Sequence, residues 1–293
     1  MAVNTVAILC PGDMGHAVGR ALGGHGVAVI TCLEGRSART RALGEQAGIR
    51  AVADFDSLVG EADLILSILP PASAVAMAGT VAEAMKRTGA TPPYADCNAV
   101  SPGTAREMDR IVTAVGAAFI DGGIIGTKPG GGYFPRLYVS GADTGPAEAI
   151  HDKAFQVMPM GAGVGRGSAI KMCYAGLTKG TWTLYTAVLV AAEAMGLSDE
   201  LAGEFKHSQA DAYARMQSIV PRLPADSGRW IGEMEEIATT FDEAGVTPGF
   251  HQGAAAMFRL LAATPFAEET RETVDANRSL EETVRVFAQH LKP

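Results

Sequence analysis

The chain has 293 residues, of which 47% are hydrophobic and 19% charged, with a formal net charge of −8. That apolar content excludes a disordered chain, and an acidic surface without a basic run excludes a nucleic-acid partner, leaving two ordered domains and a small-molecule partner as the expectation. Cys10, Cys32, Cys97 and Cys173 show no Cys-x-x-Cys spacing and the six histidines are dispersed, so reduced thiols and no metal site are expected.

Residues 6–9 form a short apolar run of strand length. Its flank lacks the positive start and cleavage site of a signal peptide, so a cytoplasmic protein is expected. Residues 16–24 have helical spacing, and 27–31 form a second, β-branched run followed by the arginine-rich 36–41. Short apolar runs recur at 64–69, 93–96 and 117–120, separated by alanine-rich segments of helical length. This alternation predicts an α/β Rossmann-type N-terminal domain over residues 1–163, a parallel sheet with helices on both faces.

Between the first strand and helix, Cys10, Pro11, Gly12, Asp13, Met14 and Gly15 carry two of the three glycines of a dinucleotide fingerprint. Gly12 would let the backbone approach a pyrophosphate, Gly15 would let helix and strand pack closely, and Cys10 replaces the first glycine. The competing reading is an ordinary tight turn. At the end of the second strand, where a carboxylate receives the ribose hydroxyls of NAD, stand Thr31 and Cys32, followed by Arg36, Ser37, Arg39 and Arg41. Guanidinium forks and a serine hydroxyl suit a 2′-phosphate, so NADP is expected over NAD. If Glu34 instead binds the ribose, the arginines are a solvated helix face.

Residues 168–196 read as one long helix, roughly 40 Å at ~1.5 Å per residue, opening an all-α C-terminal domain over 164–293. Its charge-free run is shorter than the ~20 residues that cross a bilayer, and Thr181, Thr183 and Thr186 interrupt it, so no membrane partner is expected. Lys171 stands near its start. Either it snorkels to solvent, or it sits in a desolvated pocket that lowers its pKa and makes it a general acid or base. Tyr174 and Thr178 share its helical face, while Lys179 lies near the edge of that face.

Five ordered segments within residues 1–195 resemble the β-hydroxyacid dehydrogenase superfamily, which includes 6-phosphogluconate and 3-hydroxyisobutyrate dehydrogenases. The turn ending Gly12, Asp13, Met14, Gly15 resembles its G-x-G-x-M-G, and Leu69, Pro70, Pro71 its leucine-proline turn beside the cofactor. The run from Asp96 through Asn98 to Pro102 resembles D-x-S-T-x-S-P, Asp121 to Gly126 resembles D-x-P-V-S-G, and Gly165 to Gly180 resembles G-x-G-x-x-x-K. The resemblance implies a nicotinamide cofactor against Pro11, Gly12, Asp13, Met14, Thr31, Arg36, Ser37, Leu69, Pro70 and Asn98. It implies hydride transfer on a small hydroxy acid, or related alcohol or carbonyl, with Lys171 as acid/base and Asn98 and Tyr174 assisting. Substrate would meet Gly122, Gly123, Gly126 and Lys171, and the chain would form a homodimer.

Several positions depart from that pattern. The asparagine four residues after the family's lysine is Ala175 here, its substrate serine is Ile125, and the glutamate of sugar-phosphate decarboxylation is Thr178, which disfavours that reaction. Tyr174 either replaces the asparagine's hydrogen bond or packs in the core. Asn98 positions the carboxamide or substrate, or is an ordinary turn residue. Imine reductases share the fold and generally lack the lysine. Reduction of C=N substrates is therefore one alternative, and a non-catalytic nucleotide-binding protein is another. The loop of Lys128, Pro129, Gly130, Gly131, Gly132 and Tyr133 is a lid or a plain surface loop.

Beyond Gly196 apolar residues recur every three or four positions, with Pro221, Pro224, Pro248 and Pro265 as punctuation. Trp230 and Glu233, in a cluster with Arg229, Glu235 and Glu236, are substrate-contact candidates; a solvated acidic face outweighs that reading.

Overall fold

The computed structural model describes residues 2–291; Met1 and 292–293, at the outer ends of the two expected domains, lie outside them. The chain divides into two compact units, Met1–Cys173 and Tyr174–Pro293.

The first unit alternates as the apolar runs require. In chain order it has β1 (Thr5–Ile8), α1 (Gly15–Gly24), β2 (Ala28–Cys32), α2 (Ala38–Gln46), β3 (Arg50–Val52), α3 (Phe55–Glu61), β4 (Leu64–Ser67) and α4 (Ala74–Thr88). Then come β5 (Tyr94–Asp96), α5 (Pro102–Thr113), β6 (Phe119–Ile125), β7 (Arg136–Ser140), α6 (Gly145–Glu148), β8 (Gln156–Pro159) and the start of α7 (Arg166–Ala194). The strands lie in the order β3-β2-β1-β4-β5-β6-β7-β8, and every pair is parallel except β6 with β7. The expected parallel sheet carries one antiparallel pair: residues 126–135 join β6 to β7 without a crossover helix, a connection that antiparallel neighbours permit. Strand order reverses between β1 and β4, the crevice where doubly wound sheets bind ligands.

Both faces of the sheet are covered, and the strands sort their side chains with period two. Val6 and Ile8 enter one core with Val18, Leu22, Leu64 and Leu66, while Ala7 and Leu9 enter the other with Ile65, Tyr94 and Phe119. Local sequence fixes the helix starts. Ser37, Asp54 and Ser101 each accept a backbone N–H from three residues on, and Pro102 follows the last of these at the first helical position.

The second unit holds the rest of α7 and then α8 (Ser198–Ser208), α9 (Ala210–Ile219), α10 (Pro224–Glu243), α11 (Gly249–Ala262) and α12 (Leu280–Gln289). α10 packs along α11, with the Trp230 ring 5.3 Å from that of Phe258. In α7 the interrupting threonines serve the helix: the Thr183 hydroxyl donates to the Lys179 carbonyl at 3.1 Å and Thr186 to the Trp182 carbonyl at 2.9 Å. Among the described residues no helix is long and apolar enough to cross a membrane.

Candidate active site

The glycine turn after β1 is braced from three sides. A β-carbon at Gly15 would collide with the Cys10 carbonyl, so only glycine fits that position, whereas at Gly12 the nearest atom would be Cys10 Sγ at 4.0 Å. Space at Gly12 and contact at Gly15 are the two features a dinucleotide turn needs. His16, which sequence reasoning passed over, donates from Nδ1 to the Gly12 carbonyl at 2.7 Å. Pro11 is buried and packs toward Gly44 of α2, where a β-carbon would lie 3.2 Å from Pro11 Cγ. Asp13 pairs with Arg39 of α2 at 2.7 Å, so the turn's one carboxylate is neutralised from the arginine-rich helix. Met14 is half-buried, at the head of α1, whose first N–H groups have no acceptor within the helix.

At the end of β2 the Thr31 hydroxyl is buried without a hydrogen-bond partner. Arg36 donates from its terminal nitrogen to the Leu9 carbonyl at 3.1 Å, and its buried Nε has no partner. Ser37 caps α2 by accepting from Thr40 N–H at 3.2 Å, and Glu34 is exposed.

Asn98 is a tie between strand ends. Its side-chain oxygen accepts from Leu69 N–H, and its amide nitrogen donates to Ser67 Oγ at 2.9 Å and to the Asp96 carboxyl. With its side chain 2% exposed among these partners, Asn98 fixes the corner that leads into exposed Pro70. Asp96 is wholly buried, and its pKa is raised well above the ordinary carboxyl value by burial first and the neighbouring Asp121 charge second. The same two carboxyls, after burial, push the Cys97 thiol up.

Asp121 lies level with Asp96 across the β5–β6 pair. It receives the start of α7: Gly165 N–H at 2.9 Å, Gly167 N–H at 2.8 Å, Ser168 N–H at 3.1 Å, the Ser140 hydroxyl at 2.8 Å and the Ser168 hydroxyl. The space a side chain would take at Gly122 is filled by the Asp96 carbonyl at 2.6 Å. At Gly123 it is filled by the Gly167 carbonyl and by Lys171 Cβ at 2.8 Å. Lys171 is therefore half-buried with its stem against β6. Asn98 follows the Asp96 end of the β5–β6 pairing by two residues, and Gly123 follows Asp121 on β6 by two. The first unit thus collects Lys171, Asn98 and Gly123 at the carboxyl end of its central strands.

Gly126, exposed at φ +128, leaves room for Tyr133 Oη where a β-carbon would stand. The loop is a closed turn: Gly130 and Tyr133 exchange two 3.0 Å backbone hydrogen bonds around Gly131 at φ +58 and Gly132 at φ +83. Two positive-φ residues in a two-residue hairpin make the type I′ turn that glycine permits.

In the second unit, Tyr174 is 54% exposed on α7, so its ring does not pack in the core. Trp230 and Glu233 are buried inside the unit, and the solvated acidic face is confined to neighbours such as Glu235. Glu233 accepts from Lys179 Nζ at 2.5 Å, and the Trp230 ring lies 5.5 Å from Trp182 and 5.3 Å from Phe258. A cavity of about 370 Å³ between α10 and α11 and an open groove of about 700 Å³ along α4 are lined by none of the candidate residues.

Residues 5–162 match the family described as the NAD binding domain of 6-phosphogluconate dehydrogenase, and residues 192–261 match a domain of unknown function, DUF1932. An uncharacterized 28.5 kDa protein in the 7S RNA 5′ region of Methanothermus fervidus is 27% identical over 175 residues, 60% of this chain and 66% of that protein, just under two thirds of its length. Among solved structures, Mycobacterium tuberculosis 3-hydroxyisobutyrate dehydrogenase with L-serine has a TM-score of 0.67 at 20% identity, covering 97% of this chain and 98% of that one. Streptomyces aurantiacus imine reductase has a TM-score of 0.53 at 19% identity, covering 97% and 99%. At these identities the two structures establish a shared fold.

Proposed function

We propose that this chain, which belongs to the family of the NAD binding domain of 6-phosphogluconate dehydrogenase, is an NADP-preferring oxidoreductase acting on a small hydroxy acid or a related alcohol or carbonyl compound. The observation that carries the reading is Lys171, half-buried, its stem against Gly123 at the carboxyl end of the central strands. A bound nicotinamide would accept or supply the hydride. Lys171 would take the hydroxyl proton in one direction and return it in the other, and its charge would stabilise a developing alkoxide. Asn98, whose amide is committed to Ser67, Asp96 and Leu69, would shape the floor on which the ring rests. Gly126, with Tyr133 Oη beside it, would meet substrate, and exposed Tyr174 would supply a further hydrogen-bond donor on α7.

The residues after β2 fit a 2′-phosphate. Arg36 Nε and Thr31 Oγ1 are buried polar atoms without protein partners, Ser37 heads α2, and Arg39 stands beside the glycine turn.

The homodimer reading is supported by α7. Leu177, Leu184, Val188 and Met195 stand 7, 4 and 7 residues apart, as a and d positions of coiled-coil heptads do, and are exposed, Leu177 by 75% and Met195 by 66%. Light scattering after gel filtration tests it, and a monomer at micromolar concentration would refute it.

A screen of hydroxy acids, aldehydes, ketones and cyclic imines, followed by NADPH absorbance, tests the activity. Lys171→Met is expected to abolish turnover while NADP still raises the melting temperature. Unchanged turnover in that variant would sink the assignment.

A further inference from the structure

We propose that Asp121 is the positioning residue for Lys171: its carboxylate holds the first turn of α7 on β6 and so fixes where the lysine side chain begins. The inference rests on the reading of Lys171 as the proton-transfer group, and it says what holds that group in place.

Three observations support it. First, the helix is capped from a distant strand. An ordinary N-cap is the residue just before the helix, as Ser37 is for α2. The α7 start is instead gripped by a residue 44 to 47 positions earlier, through the Gly165, Gly167 and Ser168 N–H groups and the Ser168 hydroxyl. A carboxylate suits these donors because the N–H groups of a helix start lack internal acceptors and carry positive partial charge. Ser140 of β7 donates to the same carboxylate at 2.8 Å, so β7 shares the clamp.

Second, nothing cushions the contact. A β-carbon at Gly167 would lie 2.6 Å from the Tyr138 carbonyl and 2.8 Å from the Asp121 carbonyl. One at Gly123 would meet the Gly167 carbonyl and Lys171 Cβ. With backbone seated on backbone, a displacement of the clamp is passed on without a flexible side chain to absorb it. Lys171 is one helical turn past Gly167, roughly 6 Å along the axis at ~1.5 Å per residue.

Third, the neighbouring acid does not compete for the role. Asp96 turns to Asn98, which meets its carboxyl through both backbone and side-chain nitrogen. Asp121 is the member of the pair that faces α7.

The test compares wild type with Asp121→Asn, which keeps the size but sets an amide donor against the helix N–H groups. The pH dependence of Lys171 acetylation by acetic anhydride is read by mass spectrometry, with exposed Lys86 and Lys128 as internal references. The expected result is a displaced Lys171 midpoint with both reference lysines unmoved. Where a substrate has been found, kcat is expected to fall about 100-fold, the scale of a misplacement near 1 Å, with NADPH affinity changed less than about twofold. A folded Asp121→Asn protein with the wild-type Lys171 profile overturns the proposal. If that variant does not fold, Ser140→Ala/Ser168→Ala, which strips two hydroxyl donors from the carboxylate, takes its place with the same two outcomes. The acetylation profile needs no substrate, so a failed activity screen would count against the proposed function and leave the clamp to be judged by Lys171 itself.

Discussion

Replacing Lys179 by methionine would take from the Glu233 carboxylate, inside the second unit, the ammonium that lies 2.5 Å from it. The two side chains are 11% and 6% exposed and 2.5 Å apart, with Lys179 Nζ also 5.6 Å from the centre of the Trp230 ring. Breaking one side of such a buried pair costs about 3–5 kcal/mol, because the remaining charge keeps its desolvation penalty and loses its partner. The pair Arg259 with Glu235 on the same two packed helices is 54% and 53% exposed and serves as the control, worth about 0–1 kcal/mol. Trp182 and Trp230, the chain's two tryptophans, both lie in this unit, so urea unfolding followed by tryptophan fluorescence reports on it directly. With a slope of about 2 kcal/mol per molar urea, Lys179→Met should lower the midpoint by roughly 1.5–2.5 M, and Arg259→Ala by less than about 0.5 M. Lys179→Met/Glu233→Leu, which removes both charges, should recover most of the loss. A Lys179→Met midpoint no lower than that of Arg259→Ala would refute the reasoning, since it would mean that Glu233 is satisfied by water, a proton or another partner at little cost.

Arg36→Ala is expected to reduce the thermal shift given by NADP to that given by NAD or below, because it removes the guanidinium whose Nε lacks a protein partner; a retained preference for NADP would move the phosphate contact to Arg39 or Arg41. Asp96 binds its proton more tightly in the folded chain than at its ordinary pKa of 3.8, through burial and then the Asp121 charge. The folded state therefore holds a proton that the unfolded chain has released, and stability falls as pH rises from about 4 through the raised pKa, then levels off. Asp96→Asn should flatten melting temperature against pH over that window, measured by circular dichroism, and an unchanged slope would place the titrating group elsewhere.

Most of the first unit was legible because its strands are buried on both faces and so read as short unbroken apolar runs, as residues 64–66 do. β3, β7 and β8 escaped that reading. They lie toward the sheet edges, and Arg50–Val52, with its exposed arginine and alanine, carries no apolar run at all. The glycine turn was legible for a local reason, since Gly12 and Gly15 act within one turn of chain. The grip of Asp121 on α7 was not. Its partners lie more than forty residues downstream, and no local pattern of residue types specifies which strand end a helix start will meet.

Glu233 shows where a signal was present and outweighed. Its acidic neighbours suggested a solvated face, yet Trp230, Glu233, Met234 and Ile237 fall at i, i+3, i+4 and i+7, one stripe of a helix. A charge within an apolar stripe requires either a partner or a way out to solvent. Lys179 is such a partner, and it and Lys171 are the two lysines of the same long helix, eight residues apart. The two lysines differ in what surrounds them. Lys179 meets a carboxylate at 2.5 Å beside an indole, buried inside the second unit, which suits a structural duty. Lys171 has its stem against a glycine at the end of a parallel sheet, where ligands of such sheets bind. Residue type and helix membership are the same for both, so the proposal of proton transfer by Lys171 rests on its seat: β6 supplies glycine where a side chain would have displaced the lysine, and Asp121 holds the start of its helix.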